Sequence, residues 1–246
     1  MGSSRFPGKP LAKILDKPMI EHVYKNVEKC ELLTKTVVAT CDEEIFDFIK
    51  SINGQVVMTS DKHERASDRC AEALAVLEQD DNVLYDIVVM VQGDEPMTHP
   101  DMITEALTPM LENPEIVVTN LMGDISSDDE FDDRNCIKVV CDLENNALCF
   151  SREPIPTRRF GNVPMKKQVC IIPFKRDFLL EYNEMKPTPL EVIESIDMMR
   201  ILENGGKVRM VNTEFKTKAV DTQEDLNQVS EIMKNDEIYK IYAIND

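Results

Sequence analysis

Asp86-Ile-Val-Val-Met-Val-Gln-Gly-Asp-Glu-Pro96 runs through five consecutive apolar residues and then stops in a glycine, two carboxylates and a proline. A continuous apolar run bounded by polar residues reads as a strand buried on both faces, the mark of a mostly parallel sheet. Ligands of open α/β sheets bind outside the carboxyl ends of such strands. Asp94 is therefore a candidate metal ligand, Gly93 permits close backbone approach, and Pro96 ends the strand. The competing reading is a loop that merely caps the next helix.

Outward from this stretch the pattern repeats. Thr36–Thr40 and Gln55–Thr59 are further apolar runs, and amphipathic segments lie at Pro18–Cys30, Asp42–Ile52, Ala66–Gln79 and Pro100–Glu112. Pro100 suits a first helical turn, and Asp101 suits the positive end of a helix dipole. This β-α-β-α alternation predicts an α/β fold with a doubly wound, mostly parallel sheet. The second half is mixed: strands at Ile116–Thr119, Ile137–Asp142, Ala147–Ser151 and Gln168–Phe174, then helices over 176–185 and 189–203. A strand at Lys207–Asn212 and a helix at Thr222–Lys234 close it. The expectation is one domain, 1–246, with a β-rich inserted subregion over about 123–190. Gly123–Arg134 holds six acids in twelve residues and reads as a solvated loop, without the register of a calcium-binding EF-hand.

Composition narrows the function. Of 246 residues, 46 are Asp or Glu and 28 are Lys or Arg, a net charge of −18. Nucleic acids and anionic membranes need clustered basic surface, so neither is an expected partner. No apolar run reaches the roughly 18 residues of a membrane span. The seven cysteines are odd in number and contain no CxxC pair, and the three histidines are scattered. That usage suits free thiols in a reducing cytoplasm rather than a disulfide scaffold or a zinc site.

Three further segments could carry chemistry. Gly2-Ser-Ser-Arg-Phe-Pro-Gly-Lys-Pro-Leu11 is not a phosphate loop of the Walker type, since five residues separate its glycines and Pro10 replaces the magnesium-binding Ser or Thr. A flexible Gly/Ser stretch with Arg5 and Lys9 can still wrap a polyphosphate, or be an ordinary basic loop. Val220-Asp-Thr-Gln-Glu-Asp-Leu226 reads as a helix N-cap with an acidic first turn, or as a source of a second metal carboxylate, Asp221. His63-Glu-Arg-Ala-Ser-Asp-Arg69 opens a helix; Ser67 or Asp68 can cap it, or the hydroxyl, carboxylate and Arg69 guanidinium can together recognise a polar ligand.

Gly2–Leu11, Val91–Pro96, Phe150-Ser-Arg-Glu-Pro-Ile-Pro156, Pro189-Leu-Glu-Val-Ile-Glu-Ser195 and Val220–Leu226 occur in an order that resembles the CMP-Kdo synthetases (3-deoxy-manno-octulosonate cytidylyltransferases), relatives of the CMP-sialic acid synthetases. The similarity runs from about Gly2 to Met233. It implies a Rossmann-like nucleotide-diphospho-sugar transferase fold and a homodimer formed through the β-rich subregion. It also implies transfer of CMP from CTP to the anomeric hydroxyl of an acidic sugar, with release of pyrophosphate. By motif, Arg5 would face the phosphates or the sugar carboxylate, Lys9 the triphosphate, and Asp94 and Asp221 would hold Mg²⁺. Ser3, Ser4, Ser67, Asp68, Arg69, Gln92, Arg152, Gln168, Glu194 and Asp197 match segments that line the nucleotide and the sugar. Another sugar-nucleotide pyrophosphorylase, or an inactive nucleotide-binding homologue truncated at its N-terminus, are the alternatives.

Two departures accompany the resemblance. The family opens with a strand ending in Pro-Ala-Arg directly ahead of the Gly-Ser-Ser-Arg segment, where this sequence has Met1. The expectation is that this first strand is missing from the chain as given, Met1 being an internal methionine, with weak folding and reduced activity as the consequence. The sugar side also differs: Arg65-Ala-Ser67 replaces Ser-Gly-Thr, Lys167-Gln-Val-Cys-Ile-Ile172 lacks the family's His and Tyr, and Met198 replaces a Gln. Pockets that hydrogen-bond hydroxyls discriminate strongly between ligands, so the resemblance points to Kdo or a related ulosonic acid as acceptor.

Overall fold

Alternating apolar runs and amphipathic stretches become alternating strands and helices in a computed structural model, which describes residues 6–161 and 164–243. After a 3-10 turn at Lys9–Leu11 come β1 (Lys13–Ile14), β2 (Lys17–Pro18), α1 (Met19–Glu28), β3 (Val38–Thr40), α2 (Glu43–Ser51) and β4 (Val56–Met58). Next are α3 (Ala66–Asp81), β5 (Ile87–Val91), α4 (Pro100–Glu112), β6 (Thr119–Asp124), α5 (Asp128–Asp132), β7 (Lys138–Cys141) and β8 (Ala147–Ser151). The chain continues through β9 (Lys166–Val169), β10 (Ile171–Lys175), α6 (Arg176–Glu184), α7 (Pro189–Glu194) and α8 (Met198–Glu203). It closes with β11 (Arg209–Asn212), α9 (Gln223–Met233) and α10 (Glu237–Ala243). Among the described residues no helix is long and apolar enough to cross a membrane.

These elements group into two compact units. The first comprises Met1–Asn82, Val91–Thr104 and Lys216–Asp246; the second comprises Val83–Met90 and Glu105–Phe215.

In the first unit β1 and β2 form a short antiparallel hairpin, and β3 and β4 pair in parallel with α2 as their crossover. Glu43 and Glu44 in the first turn of α2 oppose the positive end of its dipole. Helix α1 is buried nearly all round, its polar Glu21, His22 and Asn26 included, and two apolar clusters flank it. Met19 joins Ile14, Val220, Leu226, Val229 and Met233, while Ile20 joins Ile45, Ile49 and Val56. The first cluster matters for function, since it anchors the stretch that delivers Asp221.

The second unit carries a five-stranded sheet in the order β11-β6-β9-β7-β8. β11 and β6 run parallel; the β6–β9, β9–β7 and β7–β8 pairs are antiparallel. β5 pairs with β10. Its side chains are mostly half-buried rather than enclosed on both faces, because a two-stranded ribbon leaves part of each face uncovered.

Four expectations change here. The acidic segment 123–134 is not all loop: the Ser127 hydroxyl caps α5 by accepting from the Glu130 N–H at 3.1 Å, three acids fill its first turn, and Phe131 is buried. The strand expected at Ile116–Thr119 begins only at Thr119, since the Asn113 carbonyl and side chain hold Ile116 and Glu115 in a turn. Gln168–Phe174 divides into β9 and β10 because the two halves pair with different partners. The helix expected over 189–203 breaks where Ser195 takes a left-handed conformation, φ 54°.

That break is held by a buried ion pair. Arg200 donates to both carboxylate oxygens of Glu191, at 2.6 and 2.8 Å, and lies over the Tyr182 ring at 4.5 Å. Removing one partner leaves the other charge buried alone. Arg200→Met should therefore lose about 3–5 kcal/mol in urea denaturation, and Glu191→Leu added to it should recover most of that loss. A single variant within about 1 kcal/mol of wild type would contradict a tightly desolvated pair.

Candidate functional site

The loop after β5 is pinned from several sides. The Glu95 N–H donates to the Gln92 carbonyl and the Thr98 N–H to the Glu95 carbonyl, at 3.3 and 3.0 Å. Asn26 of α1 donates its side-chain amide to the Pro96 carbonyl at 3.2 Å. A Cβ at position 93 would lie 3.1 Å from Ile20 Cδ1, so glycine lets the loop sit directly on α1. The Val220 N–H donates to the Asp94 carbonyl at 3.0 Å. Backbone geometry thus brings the segments of Asp94 and Asp221 side by side.

The helix-cap reading of Val220–Leu226 holds. Thr222 is the N-cap of α9, accepting from the Asp225 N–H at 3.2 Å, and the Asp225 carboxylate accepts in return from the Thr222 N–H at 2.9 Å. The same carboxylate accepts from the Asp221 N–H at 3.2 Å. Capping falls to Thr222 and Asp225, and the Asp221 carboxylate meets Lys9. Burial opposes ionisation of Asp225, but bonds from Thr222, Lys218 and the Asp221 N–H outweigh it and hold its pKa below the ordinary value.

Lys9 completes the constellation. Gly8, at φ 74°, turns the chain into the 3-10 turn, and Phe6 and Leu11 pack into the two clusters that flank α1. The Lys9 ammonium lies 2.7 Å from an Asp94 carboxylate oxygen and 3.4 Å from one of Asp221. It is 11% exposed and each carboxylate 25%, so the group faces solvent through a narrow opening. Two carboxylates converging on one cation are a donor set for a hard divalent ion, whose remaining ligands come from water or substrate oxygens. Among the described residues no group of three or more His, Cys, Asp or Glu gathers to hold a metal. Burial pushes the Cys136 and Cys141 thiols up to about 11, which removes them as nucleophiles near neutral pH.

The His63–Arg69 segment folds back on the end of β4. Arg69 donates to the Thr59 hydroxyl at 2.5 Å and the Ser60 carbonyl at 3.2 Å. Glu72 accepts from the Ser60 N–H at 2.8 Å and contacts His63; the Ser60 bond and His63 hold its carboxyl below the usual range. Ser67 is buried, whereas Asp68 is half-exposed near the start of α3. Glu72 was not read from the sequence as part of this group, though it follows Arg69 by three positions on one helix, a spacing that shares a face.

The remaining candidates lie in the second unit. Arg152 donates through Nε to the Glu194 carbonyl at 2.6 Å, and the Glu194 carboxylate accepts from the Ser151 hydroxyl at 3.0 Å and the Arg152 N–H at 2.8 Å. Gln168 donates its amide to Asn120 at 2.6 Å. Asp197 precedes α8 and its carbonyl accepts from the Tyr182 hydroxyl at 3.0 Å. Ser3, Ser4 and Arg5 lie outside the described residues.

The sequence pattern of the family described as Cytidylyltransferase matches residues 1–237. The chain is 41% identical over 241 residues to the 3-deoxy-manno-octulosonate cytidylyltransferase of Geobacter metallireducens, covering 93% of this chain and 92% of that one. Its identity to the enzyme of the same name from Fusobacterium nucleatum is 38% over 237 residues, with 96% and 94% covered. Among solved structures it resembles a CMP:2-keto-3-deoxy-manno-octonic acid synthetase complexed with CTP. The TM-score is 0.86 at 33% identity, over 95% of this chain and 94% of that one.

The cap beside Asp221 has a pH signature. With a lowered folded pKa, Asp225 contributes stability above its ordinary 3.8 and loses it as pH falls through the lower folded value. Thermal melts should show Asp225→Asn and Thr222→Ala less stable than wild type by about 1 kcal/mol at pH 7. For Asp225→Asn the gap should close as pH falls through the lowered folded value; a gap that persists at still lower pH would assign it to packing instead.

Proposed function

This chain belongs to the cytidylyltransferase family, and from that premise we propose that it transfers CMP from CTP to the anomeric hydroxyl of Kdo or a closely related ulosonic acid, releasing pyrophosphate. Its mixed α/β fold is that of a nucleotidyltransferase. The observation that carries the reading is the meeting of Asp94, Asp221 and Lys9 on rigid backbone frames. Attack of a sugar hydroxyl on the α-phosphorus brings two anions together, so the catalyst must position them and offset their charge.

Asp94 and Asp221 would hold Mg²⁺. That ion, when bound, supplies Lewis-acid neutralisation of the phosphates and acidifies the attacking hydroxyl. Lys9 stands where it can meet the triphosphate, and Arg5 serves the same anions. Ser3 and Ser4 lend the phosphates hydroxyl and backbone donors. Ser67, Asp68, Arg69 and Gln92 serve nucleotide and sugar, and Arg152, Gln168, Glu194 and Asp197 the sugar. The chain works as a cytoplasmic homodimer without nucleic-acid or membrane partners. Exposed Leu148 on β8 and exposed Val192 and Ile193 on α7 of the second unit leave apolar side chains available for self-association.

Pyrophosphate release is the test. With CTP, Mg²⁺ and Kdo or a panel of ulosonic acids, the enzyme should release pyrophosphate, with UTP and GTP far poorer donors. Silence with every acid would overturn the reading. Asp94→Asn should lower kcat by about 10³-fold or more while circular dichroism stays unchanged. In light scattering the chain should weigh twice its 28.1 kDa, and Ile193→Asp should halve that mass.

A further inference from the structure

In a chain with an excess of 18 acidic charges, the second unit buries a lysine that pairs with no carboxylate among the described residues. Lys138 stands on β7 with 0% of its surface exposed. Its ammonium donates to the backbone carbonyls of Asp133, Cys136 and Arg152, each at 2.7 Å. That uses all three of its donors, and all three acceptors are neutral. Arg200 of the same unit, nearly as buried, is answered by Glu191 at 2.6 Å. Lys138 has no such direct partner among the described residues: Asp133 and Glu153 act on it only from beyond ion-pair distance, and burying an ammonium without a paired carboxylate is unfavourable. Burial also lowers its pKa.

The residue at the far end of one of those bonds has the same property. Arg152 donates to the carbonyls of Glu194, Arg134 and Ser195, at 2.6, 3.0 and 3.3 Å, and to no carboxylate. The Glu194 carboxylate is turned away from the guanidinium, toward the Ser151 hydroxyl and the Arg152 N–H. Neutral carbonyls therefore fix the Arg152 backbone through Lys138 and its side chain through three other residues. They orient the cation without cancelling it, and the half-buried guanidinium keeps N–H groups to spare.

We infer that Lys138 is a positioning residue that sets Arg152, with its charge unneutralised, to receive the carboxylate of the acidic acceptor sugar. This rests on the reading of the chain as a transferase to such a sugar. A carboxylate matches the guanidinium fork in shape and supplies the direct ion pair that the Arg152 side chain does not make among the described residues. Recognition of the sugar's acid group then depends on a residue that never touches it.

Steady-state kinetics with Kdo and with its C1 carboxamide separate this role from a merely structural one. Wild type should prefer the acid. Lys138→Met should raise KM for Kdo roughly tenfold or more, leave KM for CTP within about twofold, and shrink the preference for acid over amide by the same factor as the Kdo effect. On an Arg152→Ala background the Lys138 substitution should add nothing further. Should Lys138→Met fail to fold, Lys138→Gln, which keeps two of the three N–H donors, should show the same selective rise in KM for Kdo at smaller size. Equal rises in both KM values, an unchanged acid preference, or additive effects in the double variant would overturn the inference while leaving the activity standing. Absence of turnover by wild type with every ulosonic acid would take down both.

Discussion

One backbone hydrogen bond, from the Val220 N–H to the Asp94 carbonyl, ties together the parts of the first unit that matter most for chemistry. It joins segments more than a hundred residues apart in sequence and sets two aspartates beside each other. Like charges so placed repel, and the Lys9 ammonium between them is what makes the arrangement tolerable. Everything around the bond resists its breaking. Val220 is rooted in the apolar cluster with Ile14 and Met19, and the loop of Asp94 is bound to α1 through Asn26 and Gly93.

Two groups of cations, one in each unit, are held in opposite ways. In the first, an ammonium is shared by two carboxylates, a low-charge resting arrangement that an incoming cation or anion can rearrange. In the second, Lys138 and Arg152 are held by carbonyl dipoles alone, which fix direction and leave charge intact. An acidic protein that handles anionic substrates has need of both: one place where negative charge attracts a metal, another where positive charge survives.

Local signals made much of the fold legible. Pro100 and the acid after it marked α4, whose observed limits, Pro100–Glu112, are those read from the sequence. The capping box at Thr222 marked α9. What escaped depends on partners distant in the chain. No property of 189–203 itself announces that Arg200 must reach back to Glu191 and force Ser195 into a left-handed turn. The division of Gln168–Phe174 follows from which strands lie alongside, and α5 from a buried Phe131 amid acids that looked merely solvated. For the site, the spacing of Lys9, Asp94 and Asp221 gives no hint of proximity; only the family resemblance grouped them. Lys138 left one trace, a lone charge inside the apolar run Cys136–Cys141, and sequence reasoning passed over it.

Surface loops are ordinarily where proteins accept insertions and drift in length. The loop from Gln92 to Thr98 is an exception built from its own bonds. Its internal turns close between Gln92 and Glu95 and between Glu95 and Thr98, its Pro96 carbonyl is held by α1, and its glycine leaves no clearance over Ile20. An added residue would shift Asp94 by up to about 3.5 Å, the reach of one extended residue, and part it from Val220 and Lys9. An inserted residue is better borne by other connections, such as the exposed turn at Leu143–Asn145 between β7 and β8.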